Sequence, residues 1–304
     1  MNKLLIVILL ISIIGNVIGL FFAYKYRKQG YTVSALQDAV IGAGKVVNDL
    51  TDRVENGYKH RMLFVHHSVG EGILDQGGLR DSLLNMGIFV KGATYGDEIG
   101  QRTDVCDWYP KFKTDIQKLF VFKNHPNQYY KDGRVNDIIM FKSCYPCSKI
   151  GAEGTSPGNP NNREYTTENY KAVFEELSKE FRKYPNKLFI YVTYPPLVEP
   201  ETNPEAAARA REFNAWLMKD YLPRYQSESG MRNFVVFDLF DVLANSNNVL
   251  RDEYRRPDQS DSHPNELGYK QGAIRFLEFF RPVWNEWQNN AASASTKERA
   301  GSSS

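Results

Sequence analysis

Apolar and polar positions follow two different periods along the body of this chain, between about Tyr58 and Trp287. Short apolar runs predict buried parallel strands at residues 62–66, 88–93, 137–141, 188–193 and 234–237. Amphipathic stretches predict helices at 79–86, 109–120, 167–183, 204–221 and 265–287. This alternation predicts one α/β domain, a flavodoxin-like three-layer α/β/α sandwich with a five-stranded parallel sheet. In such a sheet, ligands bind beyond the carboxyl ends of the strands.

A longer apolar run precedes the domain, from Leu4 to Tyr24. At about 1.5 Å per residue, this helix would cross a bilayer core of roughly 30 Å. A cleaved secretory signal is the alternative, but the run is longer than a typical signal and ends without a small-residue cleavage site. We therefore predict an N-terminal transmembrane helix that acts as a single-pass anchor. Basic residues on both sides of the run leave its orientation open, and we expect the body to be extracytoplasmic.

The segment after the anchor carries a heptad-like stripe, in which apolar residues recur in steps of three and four from Val33 to Val54. The stripe packs either against a second copy of the chain, as an oligomerising stalk, or against its own domain. Residues 289–304 are rich in Ala, Ser and Gly and are typical of a disordered tail. The predicted organisation is an anchor at 1–28, a helical stalk or linker at 29–57, a domain at 58–288 and a tail at 289–304.

Charge argues against one class of partner. The 304 residues hold 38 Lys and Arg against 36 Asp and Glu, a net charge of +2. Four of the cations lie in the first 28 residues, where there is no acid, and removing them leaves −2 for the rest of the chain. Nucleic-acid binders neutralise several phosphates at once with clustered cations. We therefore expect no nucleic-acid partner.

Three residues with complementary chemistry flank the predicted sheet. Ser68 comes directly after the first strand, and His263 lies just before the last helix, two residues after Asp261. A serine hydroxyl is a weak nucleophile that needs a base within hydrogen-bond reach, and an acid orients that base. The sequence therefore predicts a catalytic site formed by Ser68, His263 and Asp261.

These blocks resemble the SGNH family of GDSL-type esterases and acetylhydrolases. The serine lies in LFVHHSVG at residues 63–70, and the histidine lies in HPN at 263–265, followed by Gly268 and Tyr269. The stretch GDEIGQRT at 96–103 is similar to the family's second block. The resemblance implies that Ser68 is the nucleophile, and that the backbone N–H groups of Ser68 and Gly100 hold the oxyanion.

Two blocks differ from the family pattern. The acid precedes His263 by two residues rather than three, so Asp261 is the predicted acid and Asp258 the alternative. The third block reads KSCYPCS at 142–148 and lacks the asparagine that donates to the oxyanion. Asn159, in the predicted loop 151–162, is a candidate substitute.

The remaining histidines and cysteines suggest other chemistry less specifically. His66 and His67 are adjacent on a predicted strand, so they point to opposite faces and cannot easily bind one ion. We predict no metal and no cofactor. Cys144 and Cys147 have the spacing of a redox motif, but they follow the third strand instead of opening a helix. In an extracytoplasmic body, Cys106 could form a disulfide with either of them.

The family resemblance implies a carboxylic ester hydrolase. Together with the anchor, it predicts a membrane-tethered esterase or acetylhydrolase that acts on an acylated carbohydrate or cell-envelope glycan. Two alternatives stay open at this stage. One is an O-acyltransferase with the same triad, in which a sugar hydroxyl replaces water. The other is a catalytically inactive binding or assembly module that uses the stalk to oligomerise.

Overall fold

The computed structural model describes Asp52, residues 54–257 and residues 261–301, with side chains described as far as Asn289. The predicted anchor, most of the predicted stalk, and Asp258 lie outside the described residues. Within the described residues, no helix is both long enough and apolar enough to cross a membrane. The chain divides after Lys59, and the fold below is that of residues 60–304.

The core of the domain is a five-stranded parallel sheet, as predicted. Its strands pair in the order β2-β1-β5-β6-β7, the flavodoxin-like order. The strands are β1 (His60–Val65), β2 (Ile88–Ala93), β5 (Ile138–Lys142), β6 (Leu188–Val192) and β7 (Phe234–Phe237). A small antiparallel hairpin, β3 (Phe122–Asn124) and β4 (Gln128–Tyr129), lies outside this sheet and was not predicted.

Helices cover both faces of the sheet. They are α1 (Ser68–Glu71), α2 (Leu79–Asn85), α3 (Val105–Val121), α4 (Thr167–Phe181), α5 (Pro204–Trp216), α6 (Leu222–Ser229), α7 (Leu239–Leu243) and α8 (Glu266–Gly301). The sequence pattern does not predict α1, α6 and α7, which are short or continue other helices. The backbone of α8 continues to Gly301, beyond the predicted end at 287 and through most of the segment expected to be disordered.

Two crossover helices begin at side chains that cap their first turns. The Asn203 side chain accepts from the Ala206 N–H at 2.8 Å, and Pro204 follows it in the first turn of α5. The Thr166 hydroxyl accepts from the Asn169 N–H at 3.3 Å at the start of α4. Such caps satisfy N–H groups that have no partner within the helix.

Two apolar cores, one on each face, fix the sheet between its helices. On one face, α3, α4 and α5 bury Trp108, Tyr170 and Phe213 against the strands. On the other face, Leu83 of α2 and Phe276 of α8 belong to the second core. Because both faces are covered, access to the strands is left at their ends, and the loops at the carboxyl ends carry the residues described next.

Candidate active site

Ser68 is the first residue of α1, three positions after β1 ends. A π-helical turn, Gly72–Gln76, continues this short helix. The first N–H groups of a helix have no acceptor within it. The oxyanion role of the Ser68 backbone N–H remains a prediction, for which its place at the start of α1 leaves it free of an acceptor within the helix.

The structure brings the three predicted catalytic side chains together, although Ser68 and His263 are 195 positions apart. Ser68 Oγ lies 2.7 Å from His263 Nε2. His263 Nδ1 lies 2.9 Å from Asp261 Oδ2. This second contact is off the axis of the ring N–H, so Asp261 lies beside the ring nitrogen without forming a linear hydrogen bond. The order Ser68, His263, Asp261 is the arrangement needed to pass a proton from the hydroxyl to an oriented imidazole.

The loop that carries His263 is anchored by its own polar groups. Asp261 Oδ1 accepts from the His263 backbone N–H at 2.8 Å. Ser262, which lies between these two residues in the sequence, is fully buried. Its hydroxyl accepts from the Val198 N–H at 2.9 Å and donates to the Glu201 carboxylate. These bonds tie the histidine loop to the loop that follows β6.

The motif after His263 starts α8. Asn265 Oδ1 accepts from the Gly268 N–H at 3.0 Å, and its amide group donates to the Glu253 and Arg255 carbonyls. A Cβ at Gly268 would lie 2.8 Å from Pro264 Cβ, so this position accepts glycine alone without rearrangement. Asn265 and Gly268 therefore hold the start of α8 in place, in addition to belonging to the sequence motif.

A second close approach joins α8 to the helix of the nucleophile. The ring of Tyr269 occupies the space that a Cβ at Gly72 would need, and the Tyr269 backbone does the same at Gly77. Glycine at both positions therefore lets α8 approach the turn that continues α1. This contact holds α8, which follows His263, against the turn that follows Ser68.

Asp261 is suited to remain charged beside His263. Burial acts to raise its pKa, but the backbone hydrogen bond from His263, the adjacent imidazole and the nearby Arg256 cation outweigh burial and hold the pKa below its usual value. The side chain of His263 is 17% exposed and that of Asp261 is 30% exposed, so the pair borders solvent instead of lying in the core.

Gly100, predicted as an oxyanion donor, is placed differently. Its N–H donates to the Asp97 carbonyl at 3.0 Å, within the turn that follows β2. A Cβ at this position would overlap the Thr94 backbone, which accounts for the glycine. The structure therefore does not direct the Gly100 N–H at a substrate oxygen, and its carbonyl instead accepts from His67.

His67 is held through both ring nitrogens. Nε2 lies 2.8 Å from the Gly100 carbonyl, which only accepts, so Nε2 carries the proton. Nδ1 is then the acceptor, with the Thr103 hydroxyl at 3.1 Å and the Cys144 thiol at 3.2 Å. Burial lowers the pKa of His67, and the Lys142 cation adds to the effect. The neutral His67 imidazole, hydrogen-bonded through both ring nitrogens, is therefore held in a fixed orientation beside Ser68.

Two tyrosines that the sequence analysis did not single out border the triad. The Tyr95 ring stacks on His67 with centroids 3.8 Å apart. The Tyr145 ring packs edge-on against His263 at 5.0 Å. Each follows a parallel strand within three residues, and that position is the signal that could have identified them.

In the third block, 142–148, the side chains of Lys142 and Ser143 form hydrogen bonds within the folded domain. Lys142 is fully buried, which lowers its pKa to about 8, and it donates to the Ser143 carbonyl at 2.8 Å. Ser143 Oγ accepts from Trp108 Nε1 at 2.8 Å and from the Tyr191 hydroxyl at 3.1 Å. The candidate substitute Asn159 lies in an exposed turn, where its side-chain oxygen accepts from the Asn161 N–H at 2.9 Å.

Neither the adjacent histidines nor the acids near α3 form an evident metal site among the described residues. His66 points into the core beside Phe64, away from His67. Asp104, Cys106 and Asp107 lie close enough to share an ion, but Arg102 and Arg163 already pair with Asp107. These groups form a salt-bridged cluster in which Asp107 and Cys106 are buried.

The three cysteines are free thiols, so the suggested disulfide is not formed. Burial raises the pKa of Cys106 to about 11, and it raises the pKa of Cys144 and Cys147 as well. All three are therefore protonated near neutral pH.

Three solved structures are similar to this chain, each at 14% sequence identity. One is classed as a lipolytic protein of the G-D-S-L family from Desulfitobacterium hafniense DCB-2; the match covers 71% of this chain and 97% of that chain, with a TM-score of 0.39. Another is described as a platelet activating factor from Streptococcus pneumonia; the match covers 82% of this chain and 99% of that chain, with a TM-score of 0.39. The third is described as a gut microbial diltiazem-metabolizing enzyme; the match covers 73% of this chain and 47% of that chain, with a TM-score of 0.41. No protein-family model and no curated protein matches the chain.

Proposed function

We propose that this chain is a membrane-tethered serine esterase or acetylhydrolase that removes acyl groups from an acylated carbohydrate or cell-envelope glycan. The observation that supports it is the 2.7 Å contact between Ser68 Oγ and His263 Nε2. A serine hydroxyl gains nucleophilicity at neutral pH from an adjacent base, and Asp261 lies beside the other ring nitrogen of that base.

In the proposed reaction, His263 Nε2 takes the Ser68 proton as Oγ bonds to the ester carbonyl carbon. The imidazolium then gives that proton to the leaving alcohol oxygen, and the carbon–oxygen bond breaks to leave acyl-Ser68. Water attacks the acyl carbon with His263 again as base, which releases the carboxylic acid and restores Ser68. Asp261 stays ionised and stabilises the imidazolium in both steps.

The proposed substrate class has two supports. The Tyr145 ring packs against His263, and the Tyr95 ring stacks on His67 next to Ser68 in the chain, which favours a short acyl group such as acetyl. The predicted anchor at 1–28 would hold the domain next to the membrane, where envelope glycans are found.

The test is hydrolysis of a short-chain aryl acetate by the full-length chain. We expect Ser68→Ala and His263→Ala to reduce kcat by at least about 10⁴-fold, because residues of such a triad act as a unit. The matched control is Ser82→Ala, whose hydroxyl bonds the carbonyl of Gly78, the residue before α2. This control should keep wild-type turnover.

A serine-reactive phosphonate gives an independent readout, since mass spectrometry should locate the adduct on Ser68. Product that rises with an added sugar acceptor, and carries the acyl group on that sugar, would identify an O-acyltransferase. A folded wild-type chain that neither turns over nor labels would refute the enzyme and leave the inactive binding or assembly module.

A further inference from the structure

One aromatic ring at the carboxyl end of the sheet is open to solvent. Three large apolar side chains are exposed in the described part of the chain, and two of them, Leu267 and Ile274, belong to α8. The third is Tyr95, which comes two residues after β2 and is 56% exposed. Its ring stacks on His67, the residue that precedes Ser68. The exposed ring therefore lies at the rim of the candidate active site.

His67 covers one face of the Tyr95 ring. The two ring centroids are 3.8 Å apart and the interplanar angle is 23°, which is a stacked arrangement. A ring stacked on one side keeps its opposite face, and because the residue is 56% exposed, that face is open to solvent. The phenol ring thus presents a flat apolar surface close to Ser68.

We propose that the open face of Tyr95 is a sugar-binding subsite, on which a pyranose ring of the glycan stacks while its acyl group lies at Ser68. The inference rests on the proposed function for its choice of a sugar. A pyranose with equatorial substituents has a flat face of C–H groups, and the negative face of an aromatic ring attracts these groups. Removal of the two apolar faces from water adds to the attraction.

The same turn supplies polar groups for the sugar hydroxyls. A Cβ at Gly100 would overlap the Thr94 backbone, so these two residues are in contact, and the residues that follow them, Tyr95 and Gln101, lie at the same part of the rim. Gln101 is exposed, and the Arg102 side chain is 67% exposed. An amide donates and accepts hydrogen bonds, and a guanidinium donates them. A single ring among such polar side chains fits a sugar better than a lipid surface, which needs a contiguous apolar patch.

The turn that carries Tyr95 is held in place by the domain itself. Asp97 is fully buried, and its carboxylate accepts from the Thr94 N–H at 3.2 Å and from the Asn127 N–H at 3.1 Å. His67, on which the ring stacks, is held through both of its ring nitrogens. Because the ring is already ordered, binding a sugar costs little conformational entropy of the protein.

The first test measures binding without turnover. The probes are pentasaccharides of β-1,4-linked glucose, xylose and N-acetylglucosamine, which carry no ester, titrated into the full-length chain by calorimetry. We expect at least one to bind, and Tyr95→Leu to raise its Kd by about 10-fold or more, because leucine fills space but cannot stack. Tyr95→Phe keeps the ring and should stay within about threefold of the wild-type Kd. Ile274→Ala, which removes an exposed apolar side chain from α8, is the matched control and should leave the Kd unchanged.

NMR spectra of the bound sugar separate stacking from an indirect effect. The ring current of an aromatic side chain shields protons that lie over its face. The C–H protons of the sugar should therefore shift upfield on binding to wild type and to Tyr95→Phe. They should not shift in this way with Tyr95→Leu.

Turnover connects the subsite to the proposed reaction. The two substrates are an acetylated form of the pentasaccharide that binds, and ethyl acetate, which has no ring to stack. We expect the ratio of their kcat/KM values to fall by about 10-fold or more in Tyr95→Leu, and to stay within about threefold of wild type in Tyr95→Phe. A displacement of His67 that disturbs Ser68 affects both substrates alike, so it cancels in this ratio.

The outcomes distinguish this inference from the proposed function. A wild-type chain that binds a sugar through Tyr95 but hydrolyses no ester refutes the esterase and supports the subsite. An active wild type whose Kd and kcat/KM ratio are unchanged in Tyr95→Leu overturns the subsite and leaves the esterase intact. Equal losses in Tyr95→Phe and Tyr95→Leu, or the lack of an upfield shift, also overturn it, because the ring is then not the binding group. A wild type that binds none of the three sugars overturns it as well.

Discussion

Acidification should destabilise the domain through His66, which lies beside the nucleophile but takes no part in the proposed reaction. His66 is 2% exposed and packs against Phe64. Its Nδ1 donates to the His67 carbonyl at 3.0 Å, and its Nε2 is buried without a hydrogen-bond partner. Burial lowers the pKa of His66 from 6.5 to about 4, and the Lys142 cation adds to this effect.

The sign of the effect follows from linkage between protonation and folding. Because the pKa is lower in the folded state, the unfolded chain binds the proton more readily below pH 6.5. The free energy of unfolding is therefore highest above pH 6.5 and falls as the pH drops toward 4. A difference of about 2.5 pKa units corresponds to roughly 3 kcal/mol in full, of which about 2 kcal/mol is lost by pH 5.

The assay is urea unfolding of the full-length chain at pH 7.5, 6 and 5, for wild type and for His66→Asn. Asparagine keeps a donor near the position of Nδ1 but does not titrate. We expect the variant to be less stable than wild type at pH 7.5, because it leaves a gap, and to lose less stability between pH 7.5 and 5. Subtracting the two pH profiles removes contributions from other groups. Parallel profiles would refute the assignment.

Three further predictions concern the triad, the turn after β2 and the anchor. Asp261→Asn should lower kcat for an aryl acetate by at least about 10²-fold without loss of folding, because the imidazole loses its charge partner; an unchanged kcat would point to a different acid. Gly100→Ala should lower the free energy of unfolding by more than about 2 kcal/mol, because its Cβ overlaps backbone; Gly151→Ala, where the nearest atom is 3.8 Å away, is the control, and equal melting temperatures would contradict this account. Deletion of residues 1–28 should move the protein from the membrane fraction to the soluble fraction; a truncated chain that still sediments with membranes would argue against the anchor.

The sheet was predictable because its strands are buried on both faces. Continuous apolar runs mark such strands, and β2 and β7 begin and end at the predicted residues. The hairpin β3–β4 was not predictable, since its strands of three and two residues are too short to show a period. The π-helical turn after α1 likewise leaves no signal in the pattern of apolar and polar positions, apart from the glycines that permit the approach of Tyr269.

The candidate site divides in the same way. Ser68, Asp261 and His263 could be identified because their chemistry and their places at strand and helix ends are both visible in the sequence. The environment of Gly100 could not be, since nothing local shows that its N–H is taken by the Asp97 carbonyl. The place of Tyr95 beside the site depends on its stacking contact with His67, and such a contact between side chains from two strand ends exists only in the folded domain.

The contact between α8 and the helix of the nucleophile has a consequence for synthesis of the protein. His263 comes late in the chain, and it reaches Ser68 through a loop that runs into α8, whose Tyr269 lies on the glycines that follow α1. A chain emerging from the ribosome, or passing through a membrane, exposes Ser68 long before its base has been made. In the proposed mechanism Ser68 lacks its base until the C-terminal helix docks, so an unfinished chain would not act on esters along its route.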